Sequence, residues 1–225
     1  MTVFETIRRR RSIGKMTGQR PSREQIETIL TAATHAPNHH NVQPWRFIVL
    51  AGEARAALGE VMATSLARKL ESFGEPGVPL DDKKQALLNK ERTKLLRSPV
   101  VIVVVAERPQ QSNVLEIENI EAVAAATQNM LLTTEELGLA AMWRTGDAAY
   151  DPRVKQWLDV EPDDHIVAFL YLGYAAIPHL ERRPIPIEEK TVCWGGNRTG
   201  TSLRLAPDST SEAMSSLVPG CTNLL

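Results

Sequence analysis

The chain has 225 residues and a formal net charge of −1; 43% of residues are hydrophobic and 24% charged. That length supports a full core in one large domain or two small ones, and the balanced charge excludes the broad field of a nucleic-acid or anionic-membrane binder. The longest apolar run, Val100 to Ala106, is too short to span a bilayer, and no apolar stretch follows the N-terminal arginines as a signal peptide requires. Cys193 and Cys221 have no metal-like spacing. The expected setting is a reducing cytoplasm, where the sequon Asn197-Arg198-Thr199 goes unused.

In chain order, Thr2 to Arg10 reads as a short amphipathic helix. Ser22 opens a second, with Gln25 three residues on as in a capping box, and Ile26, Ile29, Leu30 and Ala33 follow at helical spacing. Pro37 ends it. Trp45 to Leu50 is a strand. Glu53 to Leu70 is helical, with Ala54, Ala57, Leu58 and Val61 on its inner face. Ser72 to Pro79 holds two glycines and two prolines and reads as a loop. Asp81 to Leu96 is a charged helix, and Pro99 starts the buried strand. Glu116 to Leu137 is a long helix with Ile120, Val123, Ala124, Thr127, Leu131 and Thr134 inward and Gly138 as its C-cap. Leu139 to Arg144 is a short strand. Asp151-Pro152 starts a helix that runs to Leu158. His165 to Tyr174 is a further buried strand. Pro178, Pro184 and Pro186 mark an extended arm. Gly195 to Leu225, rich in Ser, Thr and Gly, reads as a weakly ordered tail. The expected division is a domain over 1–194 and a tail over 195–225. Strands separated by long helices imply a layered fold with helices on both faces of a sheet.

Three stretches carry polar chemistry. Pro37 and Pro44 bracket Asn38-His39-His40-Asn41-Val42-Gln43, and Pro44 biases Gln43 toward an extended shape. Such a stiff loop presents donors and acceptors that no ladder consumes; a plain polar surface loop is the alternative. Arg8 to Arg11 followed by Ser12 suits a phosphate, since guanidinium binds phosphate bidentately and a hydroxyl adds a bond. The alternative is a solvated basic helix end, which suits the helix dipole. Trp143-Arg144-Thr145-Gly146 ends a buried strand with a cation, a hydroxyl and a glycine, or is a core Trp beside a surface Arg. His35 and His39 are spaced i, i+4, but Pro37 breaks the helix that would align them, so no metal is expected. Glu135-Glu136 reads as a solvated face. The sequence has no G-x-G-x-x-G, Walker loop, G-x-S-x-G or H-E-x-x-H, which disfavours the enzyme classes those motifs mark.

In combination, Arg10-Arg11-Ser12, Ala36-Pro37 with Asn41-Val42-Gln43-Pro44-Trp45-Arg46-Phe47, and Trp143-Arg144-Thr145-Gly146 resemble the FMN-dependent nitroreductase family. Phe169-Leu170-Tyr171-Leu172-Gly173 fits as well, and the likeness spans roughly residues 4 to 190. Within the family the chain is most similar to the minimal bacterial YdjA type. The resemblance implies an α+β sandwich, a mixed sheet flanked by helices, in an intertwined homodimer with two FMN sites at the interface. It implies that Arg10, Arg11 and Ser12 hold the FMN phosphate and ribityl end, and that Trp143, Arg144 and Thr145 of the same subunit line the flavin. His39 and Gln43, with Asn41 nearby, reach in from the partner, which the proline-rich arm embraces. Many relatives carry a basic residue two positions after the serine; here that position is Gly14. Arg144, or else Lys15, supplies the missing cation in this reading, as a flavin stabiliser.

The implied activity is ping-pong hydride transfer from NAD(P)H through FMN to a nitroaromatic, quinone or related small acceptor, with no catalytic side chain and with neither nucleic acid nor membrane as partner. Other flavin enzymes of this fold, of the reductive dehalogenase or flavin-cleaving type, rank second; the Ser72 to Pro79 loop is the candidate lid. A non-catalytic flavin-binding protein and a basic-patch module without flavin are the remaining alternatives.

Overall fold

The computed structural model describes residues 1–72, 81–178 and 181–191. Met1–His179 forms one compact unit and Leu180–Leu225 a second; in the second, the described residues hold a 3-10 turn at Ile187–Glu189. Most of the expected Ser72 to Pro79 loop and the tail over 195–225 lie outside the described residues.

Helices α1 (Val3–Arg9), α2 (Arg23–Thr34), α3 (Glu53–Ser72), α4 (Asp82–Thr93), α5 (Glu116–Glu136) and α6 (Pro152–Trp157) alternate with strands β1 (Trp45–Ala51), β2 (Val100–Ala106), β3 (Ala140–Arg144) and β4 (His165–Gly173). The helix starts are chemical. Ser22 Oγ accepts from the Gln25 N–H at 3.1 Å, and Gln25 returns the bond to the Ser22 N–H at 2.8 Å. Thr2 and Glu5 form the same reciprocal box on α1. Each such cap contributes about 1 kcal/mol. The end of α5 is equally defined: Gly138 takes φ +69°, its N–H donates to Glu135, and the Leu139 N–H donates to Thr134. That is a Schellman stop, and β3 begins at Ala140, three residues separating it from the helix.

The strand order is β1-β2-β4-β3 with every neighbouring pair antiparallel. Parallel pairing occurs at the bridge of Ser12 to Ala141, outside the named strands. The result is an α+β arrangement whose sheet is covered on both faces. Val100, Ile102, Val104 and Ala106 pack toward Ile29, Val123, Ala126 and Met130 of α2 and α5. Val101, Val103 and Val105 pack toward Leu58 and Met62 of α3, Val154 of α6 and Leu158 at its C-cap. A strand buried on both faces must be apolar throughout, which is why β2 reads as a continuous run. Each fully buried valine is worth about 1.5–3 kcal/mol.

Two expectations need correction. The buried face of α3 is Leu58, Gly59, Met62, Ala63 and Ser65, while Ala57 is exposed. The cause is α4: a Cβ on Gly59 would stand 2.0 Å from the Arg92 carbonyl oxygen, so two helices meet where the glycine makes room. Glu135 is not solvated. Its side chain is 6% exposed, with Arg9 Nε 3.5 Å away, because α1 lies over the end of α5. No helix among the described residues is long and apolar enough to cross a membrane.

Candidate functional site

Helix α1 stops at Arg9, and Arg10, at φ −50° and ψ 130°, carries the chain toward β3. There Ser12 bridges Ala141, and the Ile13 N–H donates to the Ala141 carbonyl at 3.0 Å. Ile13 is buried and anchors the segment. The sequence-predicted trio divides. Arg10 Nη1 lies 3.4 Å from Ser12 Oγ. Arg11 instead turns back over the end of α1, where its Nη1 meets the carbonyls of Arg8 (2.6 Å), Arg9 (2.9 Å) and Arg10 (2.9 Å). A cation suits those unsatisfied carbonyls and the negative end of the helix dipole.

Pairing with β3 sets Gly14 beside Arg144. A Cβ at position 14 would stand 2.7 Å from Met142 Sδ and 3.8 Å from Arg144 Nη2. The glycine therefore opens room that the β3 side chains fill. The Arg144 guanidinium carbon sits 5.5 Å above the Tyr171 ring centroid, and Arg144 Nε is buried with no hydrogen-bond partner. Burial pushes the Tyr171 hydroxyl up to about 12, with Arg144 pulling the other way. Successive strand residues face opposite ways, so Trp143 and Arg144 diverge. Trp143 packs against the α2–α5 side and donates its indole N–H to the Val167 carbonyl at 2.9 Å. Thr145 is exposed. Next to it, Gly146 takes φ +105°, and Asp147 is held 2.6 Å from Lys69, whose ammonium keeps the Asp147 carboxyl below its usual range. Lys15 is exposed.

The second cluster precedes β1. His39–Asn41 forms a 3-10 turn. His40, Asn41 and Gln43 have φ of +49°, +53° and +49°. Gln43 is thus left-handed, not extended as the following proline suggested. The cause is a local ring: Asn38 Oδ1 accepts from the Gln43 N–H at 2.8 Å. Side chains tie the turn to its surroundings, with His39 Nδ1 3.9 Å from Glu118 and His40 Nε2 3.4 Å from Asn113 Nδ2. The side chains of His39, Asn41 and Gln43 belong to exposed residues.

The two clusters do not meet in one chain. They stand on β1 and β3, the outer strands, separated by three interstrand steps, or roughly 14 Å. A groove of about 410 Å³ beside β1 is lined by Arg46, Glu107, Arg108, Asp163 and others and takes in none of the expected site residues. Its lining is acidic on balance, with Arg108 paired to Asp163 at 2.9 Å. Sequence reasoning named Asn38 and Tyr171 within motifs without giving either a role of its own, and it did not single out Met142. Asn38 had a signal, an amide between a helix stop and a turn; Tyr171 had none beyond being the polar-tipped residue of an apolar strand.

Residues 7–174 match the family described as the Nitroreductase family. The chain belongs to the nitroreductase family. The match starts inside α1 and ends just after β4, so it takes in both clusters. Among curated family relatives, the chain is 31% identical over 173 residues to YdjA of Escherichia coli K12, named as a candidate NAD(P)H nitroreductase, covering 77% of this chain and 88% of that one. It is 25% identical to a 4-nitrobenzoate reductase of Nocardioides, covering 77% and 80%. Among solved structures, a nitroreductase-like family protein of Bacillus cereus superposes with a TM-score of 0.72 at 24% identity, covering 87% of this chain and 97% of that one. A Bacteroides fragilis nitroreductase with bound FMN gives 0.62 at 22%, covering 86% and 99%.

Proposed function

We propose that this protein is an FMN-dependent oxidoreductase that takes electrons from NAD(P)H and passes them to a nitroaromatic, quinone or related small acceptor. The observation that carries the reading is the Gly14–Arg144 pair. The N-terminal segment carries no side chain at Gly14, and β3 fills that room with the Met142 thioether and with a guanidinium whose Nε is buried and unsatisfied. A buried donor without an acceptor costs about 1–3 kcal/mol, a cost that electron-rich ligand atoms brought to the same guanidinium would offset. Membership of the family and the FMN named for the Bacteroides neighbour support this choice of cofactor. FMN, when bound, supplies two-electron chemistry in two half-reactions, NAD(P)H leaving before the acceptor enters.

The residues have distinct parts in this reading. Arg10 and Ser12 hold the terminal phosphate through charge-assisted bonds. Arg11 serves them by holding the end of α1. Arg144 places fixed positive charge where negative charge develops on the ring. Trp143 contributes backbone and packing, and Thr145 the exposed rim. His39, Asn41 and Gln43 complete the site of a second copy, since roughly 14 Å separates the two edges of one chain. The reading makes the protein a homodimer with shared sites that works in the cytoplasm. Purified protein should be yellow, release FMN and not FAD on denaturation, and oxidise NADH or NADPH in the presence of a nitroaromatic. A protein that stays colourless after reconstitution overturns the cofactor; one that holds FMN without oxidising NAD(P)H is a flavin-binding protein and not this enzyme.

A further inference from the structure

Arg144 lacks the usual means of fixing a guanidinium. Its Nε has no acceptor, and no carboxylate pairs with it among the described residues. What does lie under it is the Tyr171 ring, 5.5 Å from the guanidinium carbon to the centroid, within the roughly 6 Å over which a ring face attracts a cation. Tyr171 is itself immobile: 1% exposed, in β4, and packed in the core layer shared with α3 and α6. Its ring is uncharged throughout the working range, since burial holds the hydroxyl near 12. It therefore acts through the electron density of its face and not through a phenolate. Across the register, Tyr171 pairs with Met142, the side chain that fills the room beside Gly14.

We infer that Tyr171 is a positioning residue, whose ring face holds the Arg144 guanidinium in place beside Gly14. The inference rests on the reading above that Arg144 faces the flavin. A platform of this kind matters because solvent screens the field of a mobile cation, while an oriented, partly buried one keeps its field on the ligand.

The midpoint potential of bound FMN tests it, with thermal melting as the control for folding. Tyr171→Phe keeps the ring face and should hold the reduction equilibrium within about twofold of wild type, the ring platform being retained. Incorporating 3,4,5-trifluorophenylalanine at position 171 keeps the shape and drains the face. It should disfavour the reduced cofactor about tenfold, a potential about 30 mV more negative for a two-electron couple. In an Arg144→Ala background the same replacement should add no further shift. A trifluoro shift that persists without Arg144 makes Tyr171 merely structural and overturns the inference, as does a tenfold shift in Tyr171→Phe, which would assign the effect to the hydroxyl. An unshifted trifluoro protein beside a shifted Arg144→Ala overturns Tyr171 alone. If Arg144→Ala leaves the potential unchanged, the reading of Arg144 falls, and this inference with it.

Discussion

At the β3 edge, Arg10 to Gly14 is laid down by backbone pairing to Ala141 and by the buried Ile13, and Arg144 rests on a core tyrosine. At the β1 edge, the His39 to Gln43 turn has no strand to lean on. It is closed by one amide, Asn38, around three non-glycine residues with positive φ. Left-handed backbone costs roughly 1–2 kcal/mol per residue for most side chains, less for Asn. One edge is fixed by the same contacts that fold the sheet; the other is held against strain and presents its side chains outward. Conformations of that kind persist where surrounding structure over-determines them, and they cluster at ligand-binding positions. The contrast suggests a division of labour, a rigid electrostatic cradle on one chain and a shaped polar lip from another.

The largest expected effect tests whether the two edges serve one flavin across two chains. Arg10→Ala and Gln43→Ala should each lose most turnover. Co-expressed with different tags, they should give mixed dimers with about half of wild-type activity, because two-fold symmetry leaves one site with both defects and the other with neither. Confirmed mixed dimers without recovery would assign both residues to the same chain's site.

Within the cradle, Arg10→Ala should weaken FMN binding roughly ten- to a hundredfold, the loss of a charge-assisted bond of about 1.5–3 kcal/mol. Arg8, exposed and stacked 5.8 Å from the Phe4 ring, should change affinity no more than about twofold when replaced by Ala, as a screened surface charge. Fluorescence titration with FMN separates the two; equal losses would reduce the cradle to a diffuse basic patch.

The lip should respond more mildly. Asn38→Ala removes the acceptor of the Gln43 N–H, worth about 1 kcal/mol. It should raise hydrogen exchange at that amide about fivefold and lower turnover by a similar factor, with phosphate-end affinity unchanged. Unaltered exchange would mean that the turn is held by other contacts. Smallest is His40→Gly, which relieves a left-handed histidine and should alter stability by under about 1 kcal/mol. A larger fall in the melting midpoint would show that the contact of His40 with Asn113 outweighs the strain.

The sequence announced structure best where a local chemical signal decides it. Ser22 with Gln25, Gly138, and Asp151 before Pro152 mark helix ends through bonds made within a few residues, and β2 announces its double burial through composition alone. Long-range packing was hidden. Nothing near Gly59 indicates that Arg92 arrives from another helix, and nothing in Glu135-Glu136 tells which carboxylate α1 covers. For the candidate site the sequence offered residue types but not their arrangement. Arg10, Arg11 and Ser12 stand together in sequence, yet helix-end electrostatics claim Arg11. Trp143 and Arg144 are neighbours that strand alternation sends to opposite faces. Gln43 lost its extended shape to an amide five residues earlier.

Gly14 and Arg144 also constrain how this sequence can change. A basic side chain restored at position 14 must displace the Met142 thioether and crowd the Arg144 guanidinium, while removing Arg144 first leaves no cation at the gap. Any single-step path between the two arrangements passes through a protein with two competing charges or with none. The two positions should therefore behave non-additively: a basic side chain at position 14 should be tolerated only where Met142 and Arg144 have also changed.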